Sequence, residues 1–250
     1  MKLASFDIEI CDELTPSPDG SVPAYPRLSC AALAIQDTPE AEPCLEYFTS
    51  SANENAMTNE QVLGLLDTML HLARHDYKFL TWNGVAFDMR LIAHFSGDQF
   101  APDVYRLAWQ DHIDMMLLVT FQTGYRLGLD AALLGAGLES KLHQVTLTTG
   151  EVITDMSGAR APALWCAGER QAVLDYLAVD VIQPLKLARR IEAERCLRWT
   201  SKKGRAMFIN TDLLTVKDAY HTLPQMDCSW LPDPILRQPY INQYLPGVLE

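Results

Sequence analysis

No stretch of this chain approaches the about 18 consecutive apolar residues of a membrane-spanning helix, and the opening "MKLASFDIEICDE" sets acids where a secretory leader needs its apolar centre. A cytoplasmic protein without a membrane partner is the expectation. None of the six cysteines, at positions 11, 30, 44, 166, 196 and 228, falls in a C-x-x-C pair, which excludes a zinc knuckle and a thioredoxin-type redox motif. Internal repeats and low-complexity segments are absent, and "GYRLGLDAALLG" has glycines without the spacing of a phosphate-binding P-loop. Basic residues are scarce. Lys and Arg number 20 against 32 Asp and Glu, a formal net charge of -12, which taken alone argues against a protein that coats nucleic acid by bulk electrostatics. The exception is local: Lys186, Arg189, Arg190, Arg195, Arg198, Lys202, Lys203 and Arg205 crowd one stretch opposed only by Glu192 and Glu194.

What remains is ample material for a core. The chain has 250 residues, 48% of them hydrophobic, enough for one large domain or two small ones. "KLASFDIEIC", "LSCAALAIQ" and "CLEYFTS" read as three strands of an antiparallel meander. Thr58 and Gln61 form a capping box ahead of the apolar repeat Val62, Leu65, Leu66, Met69 and Leu70, which predicts a helix. "YKFLTW" follows as a fourth strand, "NGVAFDMRLIAHF" as a turn into a second helix, and "HID" as a short fifth strand. The pattern from Gly168 to about Trp199 predicts one long helix broken in regularity at Pro184. Three strands and then alternating helices and strands describe an α/β protein, a mixed five-stranded sheet flanked by helices, the element order of ribonuclease-H-like folds.

Three segments carry chemistry. In "FDIEI" the alternation of a strand puts Phe6, Ile8 and Ile10 on one face and Asp7 and Glu9 together on the other. Neighbouring carboxylates repel unless something positive lies between them, so the pair marks either a wet edge strand or a divalent cation. In "WNGVAFD" Asp88 opens a helix just after a strand, a place that aims a side chain over the carboxyl edge of a sheet; an acid at a helix start is also ordinary dipole complementation. In "LDYLAVD" Tyr176 and Asp180 lie four apart on one helix face, and Asp180 falls beside the buried stripe. Asp114 in "HIDMM" reads as the cap of the following helix or as a brace of the site.

Taken in this order, "FDIEI", "WNGVAFD" and "YLAVD" resemble the three exonuclease motifs of the DnaQ-like, or DEDD, family of 3′ to 5′ exonucleases. Tyr176 is similar to the tyrosine of its DEDDy branch, and the N-x-x-x-F-D form of the second motif most resembles the exonuclease domain of family B DNA polymerases. The resemblance implies that Asp7, Glu9, Asp88 and Asp180 ligate two divalent ions, Mg²⁺ or Mn²⁺. It also implies that Tyr176 orients the attacking water and that Asn83 and the backbone near Ile10 touch the terminal nucleotide. With a pKa near 10, a tyrosine is a poor general base at neutral pH.

The expected organisation is an exonuclease domain over residues 1–205 and an irregular, proline-rich extension over 206–250 packed on it. The expected activity is stand-alone removal of nucleotides from single-stranded 3′ ends, DNA favoured over RNA, with phosphates near Lys202 and Lys203 and any polymerase or repair protein as a separate partner. A ribonuclease D-like exoribonuclease would use the same ligands. A non-catalytic nucleic-acid-binding module should have lost at least one of them.

Overall fold

The computed structural model describes residues 1–14, 24–201 and 203–249. Its centre is a mixed sheet of five strands in the order β3-β2-β1-β4-β5. The strands are β1 (Lys2–Ile10), β2 (Leu28–Gln36), β3 (Cys44–Thr49), β4 (Tyr77–Thr81) and β5 (His112–Asp114). The first three pair antiparallel, and β4 and β5 run parallel to β1. This is the arrangement expected from the sequence for a ribonuclease-H-like fold.

Between the strands lie α1 (Asn59–Arg74), α2 (Asp88–Ser96) and α3 (Ala101–Gln110), followed by α4 (Met115–Thr123) and α5 (Leu129–Gly135). The capping box closes as read: Thr58 accepts the Gln61 amide and Gln61 Oε1 accepts the Thr58 amide. A two-residue pairing of β6 (Val145–Thr146) with β7 (Val152–Ile153) and the short α6 (Ala161–Cys166) lead into α7 (Arg170–Glu194). That helix lies across β1 and β2. Val173, Leu177, Val181, Leu185, Ala188 and Ile191 are buried along it. Pro184, whose missing amide hydrogen leaves the Asp180 carbonyl without its helical donor, is itself buried, and α7 continues past it as one element.

The predicted helix end is corrected: α7 ends at Glu194, five residues before Trp199. Arg195 adopts a left-handed conformation, φ 53°, and closes α7. Cys196–Thr200 is strand β8, paired antiparallel with β9 (Ala206–Asn210). Leu197 and Trp199 point inward while Arg198 and Thr200 are exposed, a period of two that the dense arginines masked in the sequence. The hairpin therefore runs across residue 205, and the stretch beyond it holds β9 and two short helices, α8 (Val216–Thr222) and α9 (Arg237–Tyr244), rather than irregular chain alone. Among the described residues, no helix is long and apolar enough to cross a membrane.

Candidate metal and active site

Strand β1 is central, paired to β2 on one side and β4 on the other, so the acids of "FDIEI" do not face water from an edge. Glu9 is 5% exposed. Two features of the sheet open a space around them. The pairing of β1 to β4 ends at Ser5 with Leu80, leaving the carboxyl end of β1 without a neighbour on that side. On the other side the register shifts at Glu9 and Ile10: Glu9 faces Cys30 but Ile10 faces Leu28, so Ser29 is the extra residue of a bulge. Bulges re-aim side chains beside them. Opposite the acids β2 offers only Cys30, Ala31 and Ala32, small residues that take no room from the cleft.

Beyond Ser5 the free edge of β1 is met by α2. The Ile8 amide, between Asp7 and Glu9, donates to Asp88 Oδ1 at 3.2 Å. The loop that delivers Asp88 is held rigidly. Asp114 accepts the amides of Asn83 and Val85 at 2.9 and 3.0 Å, and also that of Met116, so it caps α4 and braces the loop at once. Asn83 is left-handed, φ 73°. A β-carbon on Gly84 would stand 2.3 Å from Thr81 Oγ1, a contact only glycine avoids.

From the opposite face α7 presents Tyr176 and Asp180, one turn apart and both buried. One carboxylate oxygen each of Asp7, Glu9 and Asp180 lies within 4.8 Å of the others. Asp88 stands beside this trio without belonging to it. No motif in the sequence signalled the sixth member. Lys141, in the connection between α5 and β6, places Nζ 2.7 Å from Asp180 Oδ2 and 3.2 Å from the Tyr176 hydroxyl.

Electrostatics follow from burial. Asp7 titrates well above the ordinary carboxylate range, first because it is desolvated and then because Asp88, Asp180 and Glu9 repel its charge. Glu9 is raised by burial and by Asp180, with Lys141 opposing. Asp88 is pushed up to about 7 by burial, against hydrogen bonds from Asp7 and the backbone. Asp180 is raised by burial although Lys141 pulls it down. Burial disfavours the Lys141 ammonium, yet Asp180 and Tyr176 hold it above its usual value. Tyr176 is pushed beyond the ordinary tyrosine range by burial and then by the Asp180 charge. Four acids so destabilised as anions are matched to a positive charge that, among the described residues, Lys141 alone brings into the cluster.

The cleft holds about 440 Å³ and is lined by Asp7, Glu9, Tyr176, Asp180 and Lys141, with apolar walls from Ile10, Phe87 and Pro162. The "MSGARAP" turn thus reaches the site through Gly158, Ala159 and Pro162, which the sequence did not signal. Of the other expected substrate residues, Ile10 lines the cleft. Asn83 does not, and its buried side-chain oxygen has no partner. Lys203 is exposed in the turn between β8 and β9 and lines no part of the cleft; Lys202 lies outside the described residues. The basic stripe is largely self-paired, Arg189 with Glu192, Arg190 and Arg198 with Glu194, and Arg195 with Asp212.

The donors fit a divalent cation. All are carboxylate oxygens, the ligands of hard ions, and Asp180 Oδ1 is buried with no hydrogen-bond partner.

No protein-family model matches the chain, and no curated protein matches it. Among solved structures it overlaps exonuclease I. The product-bound enzyme is 14% identical with a TM-score of 0.36, over 77% of this chain and 43% of that one. E. coli exonuclease I with a dT13 oligonucleotide is 14% identical with a TM-score of 0.36, over 78% and 41%. Exonuclease I without ligand gives 14% and 0.33, over 77% and 42%. The chain spans about two fifths of the length of the structures it overlaps. With overlap this loose, the site is read from its own residues.

Proposed function

We propose that this chain is a metal-dependent exonuclease of the DnaQ-like kind, DEDDy branch, that removes nucleotides one at a time from single-stranded 3′ ends, DNA before RNA. One observation carries the reading: the three acids picked out by motif, Asp7, Glu9 and Asp180, converge on one point with Asp88 hydrogen-bonded to the same strand and Tyr176 one turn from Asp180. Acids from β1, α2 and α7 meet where β1 runs on past its pairing with β4, with Glu9, Asp88 and Asp180 buried.

Asp7, Glu9 and Asp180 hold the cation, and Asp88 completes the set that the motifs imply for two. Divalent ions bound there supply Lewis acidity to a phosphate and lower the pKa of water. The protein does the rest. The Tyr176 hydroxyl stays protonated at neutral pH, so it orients the attacking water by hydrogen bond and does not remove its proton. Ile10, Phe87 and Pro162 wall the space where a terminal nucleoside lies, and only an unpaired end enters a cleft of about 440 Å³. Preorganised charge of this kind is where hydrolases gain most of their rate.

The test is incubation of the purified protein with 5′-labelled single-stranded DNA and RNA of one sequence, with Mg²⁺, Mn²⁺ or chelator, beside Asp7→Ala. A metal-dependent ladder shortening from the 3′ end, absent from the variant, is the expected result, with DNA the faster substrate. No cleavage of either strand by the metal-loaded protein sinks the proposal and leaves a binding module.

A further inference from the structure

We infer that the strand leaves the cleft over α2, where Arg90 binds one of its phosphates on the 5′ side of the bond that is cut. The inference rests on the reading that the cleft takes a single-stranded 3′ end. A terminal nucleoside lodged against Ile10, Phe87 and Pro162 has chain on its 5′ side only, so that side crosses the rim. A chain this acidic needs a cation there to hold a phosphate. Of the cations on the segments that line the cleft, Lys141 is held by Asp180 and Arg160 by Asp155. Arg90, on α2, forms no ion pair with a described residue; its hydrogen bond goes to the Ala24 carbonyl.

Helical spacing makes Arg90 the next step outward. Phe87, which walls the cleft, precedes the first residue of α2; Arg90 follows three residues on and His94 four further, along one side of the helix over a rise of about 10 Å. His94 is exposed at the outer end. The guanidinium is set in place before any ligand arrives. Tyr25 is inserted between the two side chains: Arg90 lies over its ring, 4.6 Å from the centroid, and the His94 ring stacks on it at 3.9 Å and 8° from parallel. Nη2 donates to the Ala24 carbonyl at 2.8 Å. That bond uses one N–H of five, and the others have no partner among the described residues. An arginine ordered on an aromatic face, with donors to spare, suits the paired oxygens of a phosphodiester.

The test compares a single strand of about 12 nucleotides with a dinucleotide, which has no phosphate far enough out to meet Arg90. Binding of the longer strand, its last linkage a hydrolysis-resistant phosphorothioate, is read by fluorescence anisotropy over a range of salt; KM and kcat are read on both unmodified substrates. Arg90→Gln keeps a side-chain amide for the Ala24 carbonyl and removes the charge. It should bind the longer strand several-fold more weakly, with the salt slope smaller by about 0.7, one phosphate's share. Its KM should rise for that strand and not for the dinucleotide, at constant kcat. Arg90→Lys should keep the slope. His94→Glu should weaken the longer strand alone, and it decides the matter should Arg90→Gln fail to fold. An unchanged slope in Arg90→Gln, or an equal loss on both substrates, overturns the inference, the second because Arg90 would then act by holding Asp88. Should the wild type bind the strand and cut neither substrate, the exonuclease reading fails and the salt slope alone decides for or against Arg90. No binding of the strand by the wild type overturns both.

Discussion

Asp88 is hydrogen-bonded to the strand it serves: its Oδ1 accepts the Ile8 amide at 3.2 Å, while the start of α2 has no side-chain cap at Phe87. The peptide so held is the one that joins Asp7 to Ile8. This bond helps to set the distance between the acids of the first and second motifs, and it is made possible because β4 stops pairing with β1 at Ser5.

That bond separates charge from structure. Asp88→Asn keeps an acceptor for the amide and removes the anion, so the fold should hold while hydrolysis falls by roughly 10²-fold or more. Asp88→Ala also strands a buried amide, which costs about 1–3 kcal/mol. Urea unfolding of both variants checks this; equal midpoints would mean that the bond is not structural.

Tyr176→Phe preserves the buried ring and removes only the hydroxyl. The rate should fall by on the order of 10²-fold, with Mn²⁺ affinity unchanged. Because burial and Asp180 push this hydroxyl above its usual range, the wild-type pH–rate profile should show no tyrosine ionisation at neutral pH. A tyrosine titration in that profile below about pH 9 would contradict the water-orienting role.

The acid cluster makes metal-free stability fall with pH. Asp88 rises from an ordinary 3.8 to about 7, with Asp7, Glu9 and Asp180 moved in the same direction. An acid with a raised folded pKa binds protons more tightly in the native state. Its stabilising share is complete below the unfolded pKa and is lost as pH climbs through the folded one. Melting temperature in chelator should therefore drop between about pH 4 and about pH 7, and Mg²⁺ or Mn²⁺ should restore it at neutral pH by mass action. Asp7→Asn should melt higher than wild type in chelator, by roughly 2–4 °C for each kcal/mol of repulsion relieved, and respond less to metal. A melting temperature in chelator that stays flat across that range would overturn the prediction.

How much of this was legible follows from what periodicity can carry. Asp7 and Glu9 stand out because a strand repeats every two residues, and Asp180 because a helical stripe of apolar residues leaves an acid on the wrong side. Lys141 belongs to no periodic element; only closure of the fold brings it to Tyr176, 35 residues on. The bulge at Ser29 is a matter of register, which a single strand does not encode. The β8–β9 hairpin was hidden because Arg195 and Arg198 continue the polar face of α7, and only the left-handed Arg195 ends it.

Lys203 sits at the tip of that hairpin, outside the cleft. If single strands pass over it, Lys203→Glu should raise KM several-fold at constant kcat, and the salt dependence of binding should lose a slope of about 0.7, one phosphate's share. Unchanged KM and unchanged slope would remove the hairpin from the strand's path.

Asp114 shows most sharply how a residue outside the cleft can set the site. Its carboxylate accepts the Asn83, Val85 and Met116 amides. Burial raises it to about 6 even though these amides pull it down. Asp114→Asn presents an amide group to donors that already point inward, so one oxygen must serve where two did, and at least one buried N–H loses its partner. Stability should drop by about 1–3 kcal/mol. The loop from Asn83 to Phe87 would then hold Asp88 less firmly, which lowers kcat, and because Phe87 walls the cleft KM should rise as well. Asp114→Glu tests the same point with the charge kept, since the longer side chain cannot reach all the amides from the same backbone. Equal losses of kcat in both variants are expected, and full activity in Asp114→Glu would show that the charge of Asp114, and not its grip on the loop, is what the site needs.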